Sequence, residues 1–132
     1  MHISLVFYVY SMGASLQTSS QDKLFAYPPL LWLDKLVNRS QDNLDSQKLI
    51  RSSIDHLKTF DDVTKCEDYI RSIPLNERVL FIVSGRLGRE IIPRIHHCRQ
   101  ISSIYIYCLD KSANEQWAKS YKKVTRRFLC SY

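Results

Sequence analysis

Apolar positions fall along the chain in two alternating patterns. Leu30-Leu31-Trp32-Leu33 and Val79-Leu80-Phe81-Ile82-Val83 are short continuous apolar runs, the pattern of strands covered on both faces. Ile104 to Cys108 (IYIYC) and the shorter Leu57 to Phe60 (LKTF) read as further strands. Between them the apolar residues space out to a helical period. Leu44, Ile50, Ile54 and Leu57 predict the inner face of a helix from about Asp42 to His56, with Asp42, Asp45, Gln47, Lys48 and Asp55 outside. Cys66, Tyr69, Ile70 and Ile73 recur at i, i+3, i+4 and i+7, after Thr64-Lys65-Cys66-Glu67, which fits a capping box, and before Pro74. Ile91, Ile92 and Ile95 predict a third helix, with Pro93 restricting where it begins, and Asn114 to Tyr121 a fourth bearing Trp117.

Strands alternating with helices imply crossover connections and a parallel sheet covered on both faces. The expected fold is therefore a three-layer α/β domain with about four strands in the order 2-1-3-4, receiver-like or TIR-like, and with Val79–Val83 central. The domain is expected over residues 29–123. Residues 1–28 read as a leader and linker with little order, ending in Tyr27-Pro28-Pro29, and residues 124–132 as a basic tail. Within the leader, Ile3 to Tyr10 is an apolar run. No Lys or Arg precedes it and it is rich in aromatics, which suits a signal peptide poorly. An extra strand, or the leader of a truncated reading frame, is the preferred account.

Length and charge narrow the picture further. The 132 residues make room for one domain, and 45% hydrophobic content supplies its core. Most of the net charge of +6 sits in the second half, where residues 61–132 carry thirteen Lys and Arg against eight Asp and Glu. Such a surface can meet phosphates or acidic proteins, but a solvated face is the plainer reading. No apolar stretch approaches the roughly 18 residues of a membrane span. Cys66, Cys98, Cys108 and Cys130 show no close pairing. Thiols used this way suit a reducing compartment, so a cytoplasmic location is expected.

In an open parallel sheet, ligands bind at the carboxyl ends of the strands near the switch in strand order. Asp34, Asp61, Asp62, Ser84, Gly85, Arg86 and Asp110 are expected there. The segment Ser84-Gly85-Arg86-Leu87-Gly88-Arg89 carries two readings. Its amides and arginines are placed to cradle an anion, although it is neither GxxxxGK[ST] nor GxGxxG. The preferred reading is a tight turn needing a positive φ at Gly85 or Gly88. Asp34 with Asp61 or Asp62 would suit a magnesium ion as in a receiver domain. That design wants an aspartate at the end of the central strand, where Ser84 stands, so acidic strand ends facing water are preferred. His96-His97-Cys98 begins like a phosphatase loop, but the arginine needed six positions after the cysteine is Ile104. No zinc ligand set can be completed around it. These residues are expected to close a helix. Lys119, Lys122, Lys123, Arg126 and Arg127, with Tyr121 and Phe128, form a basic stretch with no nucleic-acid module around it.

The run RVLFIVSGRLGREIIPRIHHCRQISSIYIYCLDKSANEQWAKSYKKV, preceded by LLWLD and IDHLKTFDDVTKCEDYIRSI, resembles an N-terminal α/β module of large invertebrate multidomain proteins. Those proteins carry tetratricopeptide repeats or an arginine-specific mono-ADP-ribosyltransferase domain downstream. The resemblance spans about residues 30–124, is most specific at SGRLGRE, and implies no catalytic residue in this module. The transferases use a Glu-x-Glu pair, and none of Glu67, Glu77, Glu90 and Glu115 has a second glutamate two positions away. The expected function is a non-catalytic signalling or scaffold module that binds a protein. The alternative is an NAD- or nucleotide-binding domain that takes a phosphate-bearing small molecule at Ser84–Arg89. Nucleic acid ranks last as a partner, and no metal or cofactor is expected.

Overall fold

The computed structural model describes residues 29–53, 56–108, 111–125 and 129–130. Five parallel strands form one sheet: β1 (Leu30–Leu33), β2 (Leu57–Phe60), β3 (Val79–Ser84), β4 (Ile101–Cys108) and β5 (Leu129–Cys130). Their order is β2-β1-β3-β4-β5, so the four expected strands stand in the order 2-1-3-4 with β3 central. β5 pairs with β4 through Tyr107 and Cys108, and Val124 makes an isolated parallel bridge to Ile104. The sheet thus runs on into the segment expected to be a basic tail, and Val124 there is buried. The expected leader, with Ile3 to Tyr10, lies outside the described residues.

Four helices connect the strands: α1 (Gln41–Ser53), α2 (Val63–Ser72), α3 (Gly85–Ile95) and α4 (Lys111–Ala118). Cys66, Ile70, Ile91, Ile92, Ile95 and Ala118 from α2, α3 and α4 pack with Leu31, Leu33, Phe81, Val83, Ile104 and Ile106 on one face. On the other face, Ile50 of α1 meets Leu30, Trp32, Leu80, Ile82, Tyr105 and Tyr107. A one-to-three division follows from the strand order: the chain steps left once, from β1 to β2, and afterwards only right, and right-handed crossovers send these steps to opposite faces. β3 is buried from Val79 through Val83, which is why it reads as an uninterrupted apolar run.

Three helices depart from expectation. In α1 the buried residues are Asn43, Ser46, Gln47 and Ile50, while Leu49 is exposed, so polar side chains occupy the inner face expected for Leu44 and its neighbours. α2 starts one residue before Thr64, and its N-cap is Asp62, whose carboxylate accepts from the Lys65 amide at 2.8 Å. Glu67 has no share in a capping box; it pairs with Arg71 at 3.1 Å and Arg94 at 3.5 Å, tying α2 to α3. Aspartate caps at least as well as threonine, and starting at Val63 places Cys66 and Ile70 on the sheet. α4 covers Lys111–Ala118 rather than Asn114 to Tyr121, and Tyr121 lies beyond it, after the turn at Lys119 and Ser120.

Candidate functional site

The carboxyl edge of the sheet is where β1 and β3, adjacent strands, hand the chain to opposite faces. At the end of β3 there is no glycine loop. Ser84 (φ −66°, ψ 153°) is itself the N-cap of α3, its hydroxyl accepting from the Leu87 amide at 3.4 Å, and Gly85 is the first helical residue. Neither glycine has a positive φ. The cradle loop and the positive-φ turn are both replaced by the first turn of a helix. The glycines serve close packing instead. A Cβ at Gly85 would lie 2.6 Å from Asn114 Oδ1, and one at Gly88 would lie 3.2 Å from Val83 Cγ1 and 3.5 Å from the Trp117 ring. Two missing side chains let α4 rest directly on the start of α3. α3 then continues through Pro93, exposed in its last turn, which gives up the amide bond that another residue would make to the carbonyl four positions earlier.

The helical geometry separates the two arginines. Arg89 turns toward α4, its guanidinium 5.8 Å from the Trp117 ring centroid. Arg86 turns toward α2 and lines a cleft of about 430 Å³ with Lys35, Asp61, Asp62, Thr64 and Glu90. This is the meeting place of the strand-end residues, but its charge is mixed: two cations face three carboxylates. Asp62 already serves the α2 amides there. Lys35, next to Asp34 at the end of β1, was not singled out in the sequence, and only its position after a buried strand marked it.

Asp34 is absent from that cleft. It is buried, and its carboxylate faces the α1 side of the sheet. There it accepts from the Leu36 amide at 3.1 Å, from Asn43 Nδ2 at 3.1 Å and from the Tyr107 hydroxyl. Tyr107 in turn accepts from Trp32 Nε1 at 3.0 Å, the rings meeting edge to face. Asn43 also donates to the Leu36 carbonyl, and Gln47 to the Val37 carbonyl and Asn38 Oδ1, so the inward polar residues of α1 extend this network. Burial, with the negative charge of Asp34 adding to it, pushes the Tyr107 phenol far above its ordinary range. Asp34 therefore neither faces water nor joins Asp61 and Asp62 as an acidic group. Alternation along β1 explains this: Asp34 points to the same face as Trp32. Asp110 falls outside the described residues.

The other residues singled out are also placed. His96 is the C-cap of α3, as expected of a helix end, and its ring contacts His97 at 5.5 Å and Tyr121 at 4.9 Å between centroids. Cys66, Cys98 and Cys108 are buried, and burial pushes the Cys66 thiol up to about 12. Among the described residues no three His, Cys, Asp or Glu side chains come together in a way that could hold a metal ion. No described helix is long and apolar enough to cross a membrane. Lys123 of the basic stretch turns inward, donating to the Cys98 carbonyl at 2.6 Å, and desolvation lowers its pKa. Arg126, Arg127 and Phe128 lie outside the described residues. Comparison with known proteins finds no matching family model, no matching curated protein and no matching solved structure.

Proposed function

We propose that this domain is a non-catalytic protein-binding module of the signalling or scaffold kind, and that it meets its partner at the rim of the switch-point cleft. One observation carries the reading: the groups best placed for chemistry are already engaged in holding the fold. Asp34 is tied to Tyr107, Asn43 and the Leu36 amide. Asp62 caps α2 and Ser84 caps α3. What faces outward is a shallow rim of alternating sign from Lys35, Asp61, Arg86 and Glu90. Mixed charge of this kind gives a protein partner register and specificity, whereas a small anion bound there would face three carboxylates. The resemblance of the SGRLGRE region to the N-terminal module of tetratricopeptide-repeat and ADP-ribosyltransferase proteins supports the same reading, since that module stands beside interaction and transfer domains.

A photocrosslinking residue in place of Arg86 tests this. It should trap one discrete protein adduct in cell extract, and adding Lys35→Glu with Glu90→Lys should abolish that adduct without moving the Tm. The reading fails if NAD, ADP-ribose or a nucleotide at millimolar concentration raises the Tm and Arg86→Ala removes that stabilisation.

A further inference from the structure

A second cleft lies along α4, and its charge is the reverse of the first. It encloses about 640 Å³ and is lined by Lys111, Lys119 and Lys122 with Glu115, Tyr121 and Thr125. Ala118 and Val124, both buried, close its floor. We infer that this cleft binds a small molecule carrying two or more phosphate groups.

Three observations converge on that ligand. Among the described residues that line the cleft, the single carboxylate, Glu115, pairs with Lys111 at 3.9 Å, leaving Lys119 and Lys122 without one. The cleft falls within the roughly 300–1,000 Å³ typical of small-molecule sites. Finally, Lys111 opens α4 while Lys119 and Lys122 lie beyond its last residue, Ala118, so the cations are spread over the length of the helix, about 12 Å at 1.5 Å per residue. A ligand with two or three phosphates matches that spread of charge better than a ligand with one. Lysine suits phosphate as a point charge. The structure also redraws the basic stretch of the sequence, since Lys123 points away to the Cys98 carbonyl while Lys111, distant in sequence, joins the group.

The test is calorimetric titration of the full chain with inorganic tripolyphosphate and with orthophosphate in physiological salt. Tripolyphosphate should bind at one site and orthophosphate at least tenfold more weakly. Lys119→Ala/Lys122→Ala should weaken tripolyphosphate at least tenfold, while Lys48→Ala/Lys65→Ala, which removes the same charge elsewhere, should leave it unchanged. Glu115→Gln should strengthen binding several-fold, a gain that a purely structural role for these residues would not produce. No binding at millimolar tripolyphosphate, or equal losses in the two lysine pairs, overturns the assignment. So does tighter binding of polyglutamate or a single-stranded oligonucleotide through the same lysines, which would make this a macromolecular surface.

Discussion

The two faces of the sheet are built on different principles. Under α2, α3 and α4 the contact is made by apolar side chains and buried thiols, with Phe81, Val83, Ile91, Ile92 and Ile95 all fully buried. Under α1 the same strands present Trp32, Asp34 and Tyr107, and the helix answers with Asn43, Ser46 and Gln47. The first face draws its stability from area removed from water. The second depends on whether each buried polar group finds a partner, because an orphan there costs more than a formed hydrogen bond contributes. Ser46 Oγ is the one side-chain atom, among the described residues, that is buried without a partner. The apolar face can therefore repack after a change in shape, whereas the polar face is intolerant of losing any one donor or acceptor.

Phe81→Ala gives the largest expected effect. Emptying a fully buried phenylalanine site should cost about 4 kcal/mol, read as a lower urea midpoint at unchanged slope. Asp34→Ala should follow at about 3 kcal/mol although it removes far less volume, because Tyr107, Asn43 and the Leu36 amide lose their acceptor together. A loss below about 1 kcal/mol would mean that water replaces the carboxylate, and the contrast between the faces would collapse. The double variant Asp34→Ala/Tyr107→Phe should cost less than the sum of the two single changes, since both break one network.

Alkaline unfolding sharpens the contrast, because each face hides one acidic proton. Cys66 on the apolar face is raised by burial to about 12 from an ordinary 9.0. Tyr107 on the polar face is raised by burial first and by the charge of Asp34 second. In both cases the native state keeps a proton that the unfolded chain releases. Stability is therefore complete below about pH 9 and declines as pH rises, by about 1.4 kcal/mol per unit for each retained proton. Cys66→Ala should flatten the decline from about pH 9 and Tyr107→Phe from about pH 10. Unchanged slopes in both variants would show that neither proton is held.

What the sequence discloses follows the same division. β3 and the inner faces of α2 and α3 are legible because apolar contact leaves a period in the sequence: Ile91, Ile92 and Ile95 announce their own burial. The polar face leaves none. Trp32 and Tyr107 bond across 75 residues and Asp34 and Tyr107 across 73, so nothing local to Asn43 or Gln47 marks them as interior. The candidate site was legible in position and misread in conformation. Gly85 and Gly88 read as a turn because a missing Cβ serves a positive φ and a close helix contact equally well, and the contact, with Asn114 and Trp117, lies some 29 residues away in sequence. The lysine cleft was half visible: Lys119 and Lys122 stand in the basic stretch, while Lys111 enters only through the geometry of α4.

The buried thiols turn the molecule into its own clock. Cys66 and Cys98 lie beneath α2 and at the end of α3, and Cys108 closes β4, all three inside the apolar layer. A thiol reagent can reach them only when that layer opens, so the rate at which each cysteine is labelled measures the frequency of a local or global opening. Equal rates at Cys66 and Cys108 would describe a layer that opens as one body. A faster rate at Cys98, beside the α3 terminus, would identify the place where it first comes apart.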